Sequence, residues 1–345
     1  MASGCLTMAA MPVYNRPSGN MDKDAEQMKD ITIVIPNLNG MRWLEGCLGS
    51  LRKQTDRDFE TILIDNGSDD GSVDFVRERF PEVKVRAYHR NTGFCRAVNA
   101  GIRMSRSRYV LLLNNDTVCS ERMVEELHRA MDADEKRFSC AAKMIRLSDP
   151  SVLDDAGDFY CALGWAFARG KGQDAGRYSG AQEIFACCAA AAIYRRSMLE
   201  ETGLLDERHF AYLEDIDLGY RAQIFGFRNW YVPAAVVYHA GSATSGSAHN
   251  AFKVKLASRN SVYLIWKNMP GWQILLNAPF LAPGFAVKTL YFTRLGLGKE
   301  YVRGLARGLS MCRGPGRVRF SEHPKGNYLR IQLQLWKNCW LRLKG

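Results

Sequence analysis

Several signatures are missing from this chain of 345 residues. No GxGxxG follows the first expected strand and no GxxxxGKS/T occurs anywhere, so neither the dinucleotide fingerprint nor a phosphate loop is supported. The ten cysteines include no CxxC and do not alternate with histidine at zinc spacing. They read as reduced, mostly buried thiols of a cytoplasmic protein, not as a zinc site or a disulfide framework. The first 30 residues contain no apolar h-region, so no signal peptide is read there, and residues 1–30 are expected to form a mobile leader. Acid is scarce at the other end. Residues 251–345 hold 17 Lys+Arg and 2 Asp+Glu, a net +15, whereas residues 1–250 hold 30 and 34, a net −4. Such a tail suits an anionic partner, lipid or nucleic acid, unless it is simply a solvated basic face. It carries no nucleic-acid-binding motif.

Within that tail, 20 uncharged residues separate Lys267 from Lys288. The length suits a membrane span. The content does not, because Pro270, Pro279 and Pro283 are expected to break a helix and Gln273 and Asn277 are polar. The segment reads as an interfacial or re-entrant piece with Trp272 at headgroup level, or else as a buried helical hairpin.

What is present is strict alternation. The runs 31–35, 59–65, 83–88 and 109–113 read as buried strands, and 43–54, 72–80 and 94–105 as helices between them. The pattern predicts βαβ units and a mainly parallel sheet flanked by helices. Residues 120–132 read as a helix capped by Ser120. Residues 148–182 read as loops and short strands, 212–227 as an amphipathic helix with an Asp217–Arg221 pair, and 228–238 as a strand running into a Gly/Ser loop.

Each strand of the first half ends in polar residues: Asn37 and Asn39, then Asp65 and Asn66, then Asn91, then Asn114, Asn115 and Asp116. Parallel strands bring these to one sheet edge, where open α/β sheets bind ligands. Any one of them could be ordinary turn chemistry. Without a phosphate loop, a diphosphate needs another counter-charge, and a divalent metal on Asp116 is the evident route. Asp65 could accept the imide N–H of uracil or thymine, or cap its own DNGSDDGS turn. Glu214, Asp215 and Asp217 crowd the start of one helix. Crowding raises the pKa of at least one carboxyl, which suits a general base, while the helix dipole opposes the shift. His239, at a strand end, suits a metal or phosphate contact or a structural role.

The ordered motifs IVIPNLNG, LIDNGSDDGS, NTGFCRAVNAGI, LLLNNDT and ETGLLDERHFAYLEDIDLGYRA resemble those of inverting family 2 glycosyltransferases of the GT-A fold, nearest the bacterial rhamnosyltransferase-like subgroup. The resemblance spans roughly residues 31–270. It implies an α/β, Rossmann-like GT-A catalytic domain over 31–250 and a basic, partly amphipathic helical region over 251–345. It implies that Pro36, Asn37, Asn39 and Asp65 line the nucleotide pocket, with Asn91, Gly93, Phe94 and Asn99 along the donor wall. Asn114, Asn115 and Asp116 match the metal motif, with Mg2+ or Mn2+ on Asp116 and His239. Glu214 and Asp215 match the catalytic pair, with Asp215 as base. Arg259 and Asn260 match an Arg-Asn pair without an assigned role. Three departures stand out: Asn114 for the first metal acid, Leu38 for a Tyr, and Cys187-Cys188 for Gly-Ala beside the acceptor cleft.

The implied reaction moves a sugar, rhamnose first, from a nucleotide sugar (dTDP-rhamnose, or a UDP- or GDP-sugar) to a saccharide or polyprenyl-diphosphate-linked acceptor. The setting is bacterial surface polysaccharide synthesis, at the inner face of the cell membrane, with no nucleic-acid partner. The alternatives are a sugar-phosphate nucleotidyltransferase, for which PNLNGMRW is a poor match, and a non-catalytic carbohydrate- or lipid-binding protein.

Overall fold

Strand and helix alternate in the first half as the pattern requires. The computed structural model describes residues 28–241, 249–313 and 316–344. Nearly all of the expected leader (1–27) and the Gly/Ser stretch 242–248 lie outside the described residues. The elements run β1 (Ile31–Asn37), α1 (Met41–Leu51), β2 (Phe59–Asp65), α2 (Ser72–Arg79), β3 (Lys84–Ala87), α3 (Phe94–Met104), β4 (Tyr109–Leu113), β5 (Thr117–Cys119) and α4 (Met123–Asp132). Then follow β6 (Arg137–Arg146), β7 (Leu153–Asp155), β8 (Asp158–Tyr160), β9 (Ala166–Ala168), β10 (Gln182–Ile184), β11 (Ala191–Arg195), α5 (Arg196–Thr202), α6 (Glu214–Ile224) and β12 (Arg228–His239). Among the described residues, four α-helices follow: α7 (Ala251–Asn268), α8 (Gly271–Arg294), α9 (Gly298–Met311) and α10 (Lys325–Lys344).

The main sheet has ten strands in the order β10-β12-β6-β11-β4-β1-β2-β3, with β5 added to β12 and β7 to β6. Strands β4, β1, β2 and β3 are mutually parallel. Strand β11 enters antiparallel between β4 and β6, so the sheet is mixed. Alternation along β1 sorts the core. Ile31, Ile33 and Ile35 pack with α1, α2 and α4 on one face, and Val34 packs with α3 and α6 on the other. A third core forms where Tyr160, Ile216, Tyr220 and Ile224 meet Leu264, Tyr328, Ile331 and Leu335. Helices α7, α8 and α10 are therefore packed onto the sheet domain through a shared core, and α9 lies against α7.

Two local expectations are corrected. Ser120 does not cap α4: that helix starts at Met123 with no side-chain cap, and Ser120 contributes only its carbonyl, to Met123 N–H. β5 takes residues 117–119 first, so the helix cannot begin there. Pro270 does interrupt the helix, separating α7 from α8, but the other two prolines do not: α8 is continuous through Pro279 and Pro283. Both prolines are exposed, and the opposite side of the helix is locked by buried Gln273 and Asn277. Tertiary hydrogen bonds there offset the lost helical ones.

Candidate active site

The register pairs Asn37 with Asp65, so the first two strand ends meet. Asn37 Nδ2 donates to Asp65 Oδ1 at 2.8 Å, and Asn115 Nδ2 donates to Asn37 Oδ1 at 2.6 Å. This chain of buried side chains ties β1, β2 and the turn after β4 together. Gly40 is needed where they converge, because a Cβ there would fall on the Asn115 and Asn37 side chains. Asp65 also accepts from Ser68 Oγ at 2.5 Å, Ser68 N at 2.9 Å and Gly67 N at 3.2 Å. Four donors fill the lone pairs of one carboxylate, so Asp65 caps its own turn. Asn39, in the left-handed region at φ 49°, accepts from Asp69 N and gives its own N–H to Ser68 Oγ. Pro36 is half-buried beside them.

On the next strand end, Asn91 Oδ1 accepts from Gly93 N and Asn66 Nδ2. Gly93 packs under Phe210, whose ring a Cβ would meet at 2.6 Å. Phe94 is half-buried against the face lined by α3 and α6. Asn99 is fully buried and spends its amide on the Leu205 backbone and Glu207, so it ties α3 to the 203–209 segment.

Asp116 sits beyond β4, with its backbone carbonyl accepting from Ala240 N–H. His239 Nε2 is 3.4 Å from Asp116, and His239 Nδ1 is 2.8 Å from Asp154. Lys171 Nζ in turn meets Asp154 at 2.7 Å. Burial alone would depress the imidazole, but the two carboxylates outweigh it and raise His239 to about 9. Asp154 is held well below the usual range because His239 and Lys171 overcome its burial.

The acidic pair opens α6. Asp215 is half-buried, and its Oδ1 accepts from Ile216 N at 2.7 Å. Burial raises its pKa, partly offset by hydrogen bonds from the backbone, including Ala189, and from Asp158. Glu214 is buried with Oε2 unpartnered, and burial, then Asp215, pushes it to about 8. Asn114 N–H donates to Ala190 O. The Asn114 turn and Asp215 therefore lean on adjacent residues, Ala190 and Ala189, whose Cα atoms are about 3.8 Å apart.

Asp217 does not join that crowd. It is fully buried and turned the other way, onto Arg221 at 3.0 Å, Lys267 at 2.9 Å and Asn268 at 2.8 Å. The acids that do approach Asp215 come from the 148–182 stretch, where the sequence pattern predicts only loops and short strands. Asp155, Asp158 and Cys188 bring one ligand atom each within 4.8 Å of one another. Burial pushes Asp155 up to about 7 and Asp158 well above its ordinary value. The signal lay in LDDAGDF, three acids within five residues of a Gly-rich stretch. Of the doublet, Cys187 is buried against Ser139 and Trp230 O, while Cys188 faces the acids.

The Arg259–Asn260 pair acquires a structural role. Phe210, Tyr212 and Leu213 all have positive φ, at 66°, 70° and 66°. Non-glycine residues hold such conformations only where their surroundings impose them. Asn260 Nδ2 donates to the carbonyls of His209, Ala211 and Tyr212, and Arg259 Nη2 to those of Arg208 and His209. The α7 pair thus clamps the strained loop that delivers Glu214 and Asp215.

Comparison with known proteins agrees with this architecture. Residues 32–203 match the model of Glycosyl transferase family 2. N-acetylglucosaminyl-diphospho-decaprenol L-rhamnosyltransferase of Mycobacterium tuberculosis (strain CDC 1551 / Oshkosh) is 27% identical over 264 residues, covering 67% of this chain and 84% of that protein. Among solved structures, S. aureus TarS 1-349 in complex with UDP-GlcNAc superposes with a TM-score of 0.55 at 16% identity, covering 81% of each chain. GalNAc-T7 with UDP, GalNAc and Mn2+ gives 0.56 at 15% identity over 70% of this chain, which spans about half (48%) of that one. At those identities the likeness speaks for the fold alone, a GT-A sheet. The chain belongs to the family 2 glycosyltransferases, and its relatives include proteins named as rhamnosyltransferases.

Proposed function

We propose that this protein is an inverting, metal-dependent transferase that moves a sugar, rhamnose first, from a nucleotide sugar to a hydroxyl of a saccharide or polyprenyl-diphosphate-linked saccharide in bacterial surface polysaccharide synthesis. The observation that carries this reading is Asp215: a carboxylate raised by burial, oriented by Ile216 N–H, and leaning on the segment that also meets the turn before Asp116. A raised carboxylate works as a base near neutral pH. In this reading Asp215 takes the proton of the acceptor hydroxyl. The freed oxygen bonds to the anomeric carbon while the bond to the nucleoside diphosphate breaks on the opposite face, through an oxocarbenium-like transition state. Glu214, protonated beside it, keeps negative charge from accumulating next to the base. The relative from Mycobacterium tuberculosis supports rhamnose and a lipid diphosphate acceptor by its name, and dTDP-rhamnose is the donor to try before UDP- or GDP-sugars.

The metal would be Mg2+ or Mn2+ on Asp116 and His239. The donor set fits. The imidazole and carboxylate are 3.4 Å apart, near the ~3 Å edge between neighbouring ligands of a small octahedral cation. Asp154 on Nδ1 supplies the outer carboxylate that orients a ligating histidine. Bound there, the ion would neutralise the leaving diphosphate. Asn37, Asn39, Pro36 and Asp65 would border the nucleoside, with Asn91, Gly93, Phe94, Asn114 and Asn115 around the donor. A base pairing with Asp65 would have to displace Ser68 Oγ. The work would be done at the cytoplasmic membrane face. The test is nucleotide release from dTDP-rhamnose, UDP- and GDP-sugars with a saccharide acceptor, reading product configuration by NMR. Retained configuration, or no release from any donor, would overturn the reading.

A further inference from the structure

Helix α8 is amphipathic in the reverse sense of a soluble protein's helix. Its buried side carries polar residues. Gln273 takes the Tyr220 hydroxyl at 3.2 Å and donates to Tyr328 O at 3.0 Å, while Asn277 exchanges hydrogen bonds of 2.9 and 2.8 Å with Gln332. Its outer side carries Trp272, Leu275, Leu276, Phe280, Val287 and Leu290, all exposed. Leu275 is 76% exposed. A soluble surface rarely presents so long an apolar stripe without a partner. The helix is long and apolar enough to cross a membrane, but its polar side is tied to α6 and α10 residues along its first half, which holds it flat on the protein.

Beneath its second half lies a cavity of about 300 Å³, walled by Leu163, Trp165, Pro283, Gly284, Val287 and Arg342. Lys288 Nζ stands 5.5 Å over the Trp165 ring. Among the described residues, neither Lys288 nor Arg342 has a carboxylate partner. Burial, only partly offset by Cys161 and reinforced by Arg342, lowers Lys288 to about 8. Arg342 in the wall of an apolar hollow and Lys288 over its Trp165 repel each other, and the pair lacks one thing, an anion with an apolar body.

We propose that the apolar face of α8 lies in the plane of an anionic membrane surface, and that the hollow under Pro283 and Val287 seats the phosphate of a lipid of that surface between Lys288 and Arg342. The net +15 of residues 251–345 is the matching charge. An in-plane helix needs no spanning length, only one apolar side at the headgroup boundary. The inference rests on the transferase reading only for the use made of the lipid.

The full chain would be floated with vesicles of phosphatidylcholine alone and of phosphatidylcholine with phosphatidylglycerol. Wild type should rise with the anionic vesicles and not the neutral ones. L275E/L290E, at exposed positions, should stay at the bottom. K288Q/R342Q should bind roughly thirtyfold more weakly. Donor hydrolysis without vesicles should be unchanged in both variants, which also reports on folding. Flotation of both variants at the wild-type level would overturn the proposal. So would displacement by inorganic phosphate alone, which would mark a free-phosphate site, or a dimer that L275E/L290E dissolves, which would make a second copy the occupant. A protein that floats but moves no sugar would leave this inference standing and sink the transferase reading. One that moves sugar but never floats would do the reverse.

Discussion

His239 Nε2 stands 3.4 Å from Asp116 Oδ1 while its other ring nitrogen is held by Asp154 at 2.8 Å. The arrangement is a carboxylate–histidine–carboxylate row with Lys171 at its end. If the row holds a cation, Asp116→Ala should abolish the metal-dependent part of donor binding, and Asp154→Asn should weaken it roughly 10- to 100-fold. Calorimetry with and without EDTA reads both. Equal affinity in the two conditions for wild type would remove the metal role.

Asp215→Asn should lower turnover roughly 100- to 10,000-fold while nucleotide binding persists, because only the proton acceptor is lost. Wild-type turnover in this variant would remove the base assignment.

Glu214 makes a statement about pH. Its folded pKa is raised from 4.5 to about 8, by burial and then by Asp215. A raised folded pKa favours the native state below the unfolded value and loses that stability as pH climbs through the folded one. The contribution of Glu214 to the wild-type Tm should therefore decline between pH 4.5 and about 8. Glu214→Gln, which mimics the protonated acid, should flatten the decline. The two carboxyls titrate as a pair, so the midpoint belongs to both. An equally steep profile in the variant would refute the assignment.

Asn260→Asp keeps the side-chain shape but removes the donors that hold three carbonyls of the strained loop. Losing them should cost about 1–3 kcal/mol in stability and lower kcat, with nucleotide affinity near wild type. A fall in Tm with kcat intact would reduce the pair to a structural brace.

Leu335 on α10 is fully buried in the core shared with Tyr160 and Tyr220. Leu335→Ala should cost about 2–5 kcal/mol by urea denaturation. Removing everything after residue 270 should likewise uncover that core and not merely detach a tail, visible as aggregation or a collapsed melting transition. A truncated chain that melts like the full one would show that the helices are dispensable.

Much of the sheet was legible because buried parallel strands are short β-branched or aliphatic runs and the helices between them keep the 3.6 period. ITIVI, FETILID and YVLLL form adjacent strands within a residue or two of their expected limits. The shared polar edge followed from parallel order. Local rules failed where long-range contacts outweigh them. Ser120 looked like a cap, but β5 pairs with β12 at that point. Pro279 and Pro283 looked like breaks, but Gln273 and Asn277 anchor the helix from across the molecule. Trp272, the expected headgroup-level anchor, is exposed, whereas Trp336 of the same basic region packs against the third core.

By itself the sequence determined the strand–helix order, the polar strand ends and the uneven charge, because these depend on residue type and spacing along the chain. Only the tertiary structure decided which acids belong together. Asp217, two residues from Asp215, turns inward to Lys267, while Asp158, 57 positions away, lies against Asp215. It likewise turned the polar side of α8 inward and the apolar side out. A carboxylate's neighbours and a helix's covered face are set by chain crossings hundreds of atoms apart, which no local window contains.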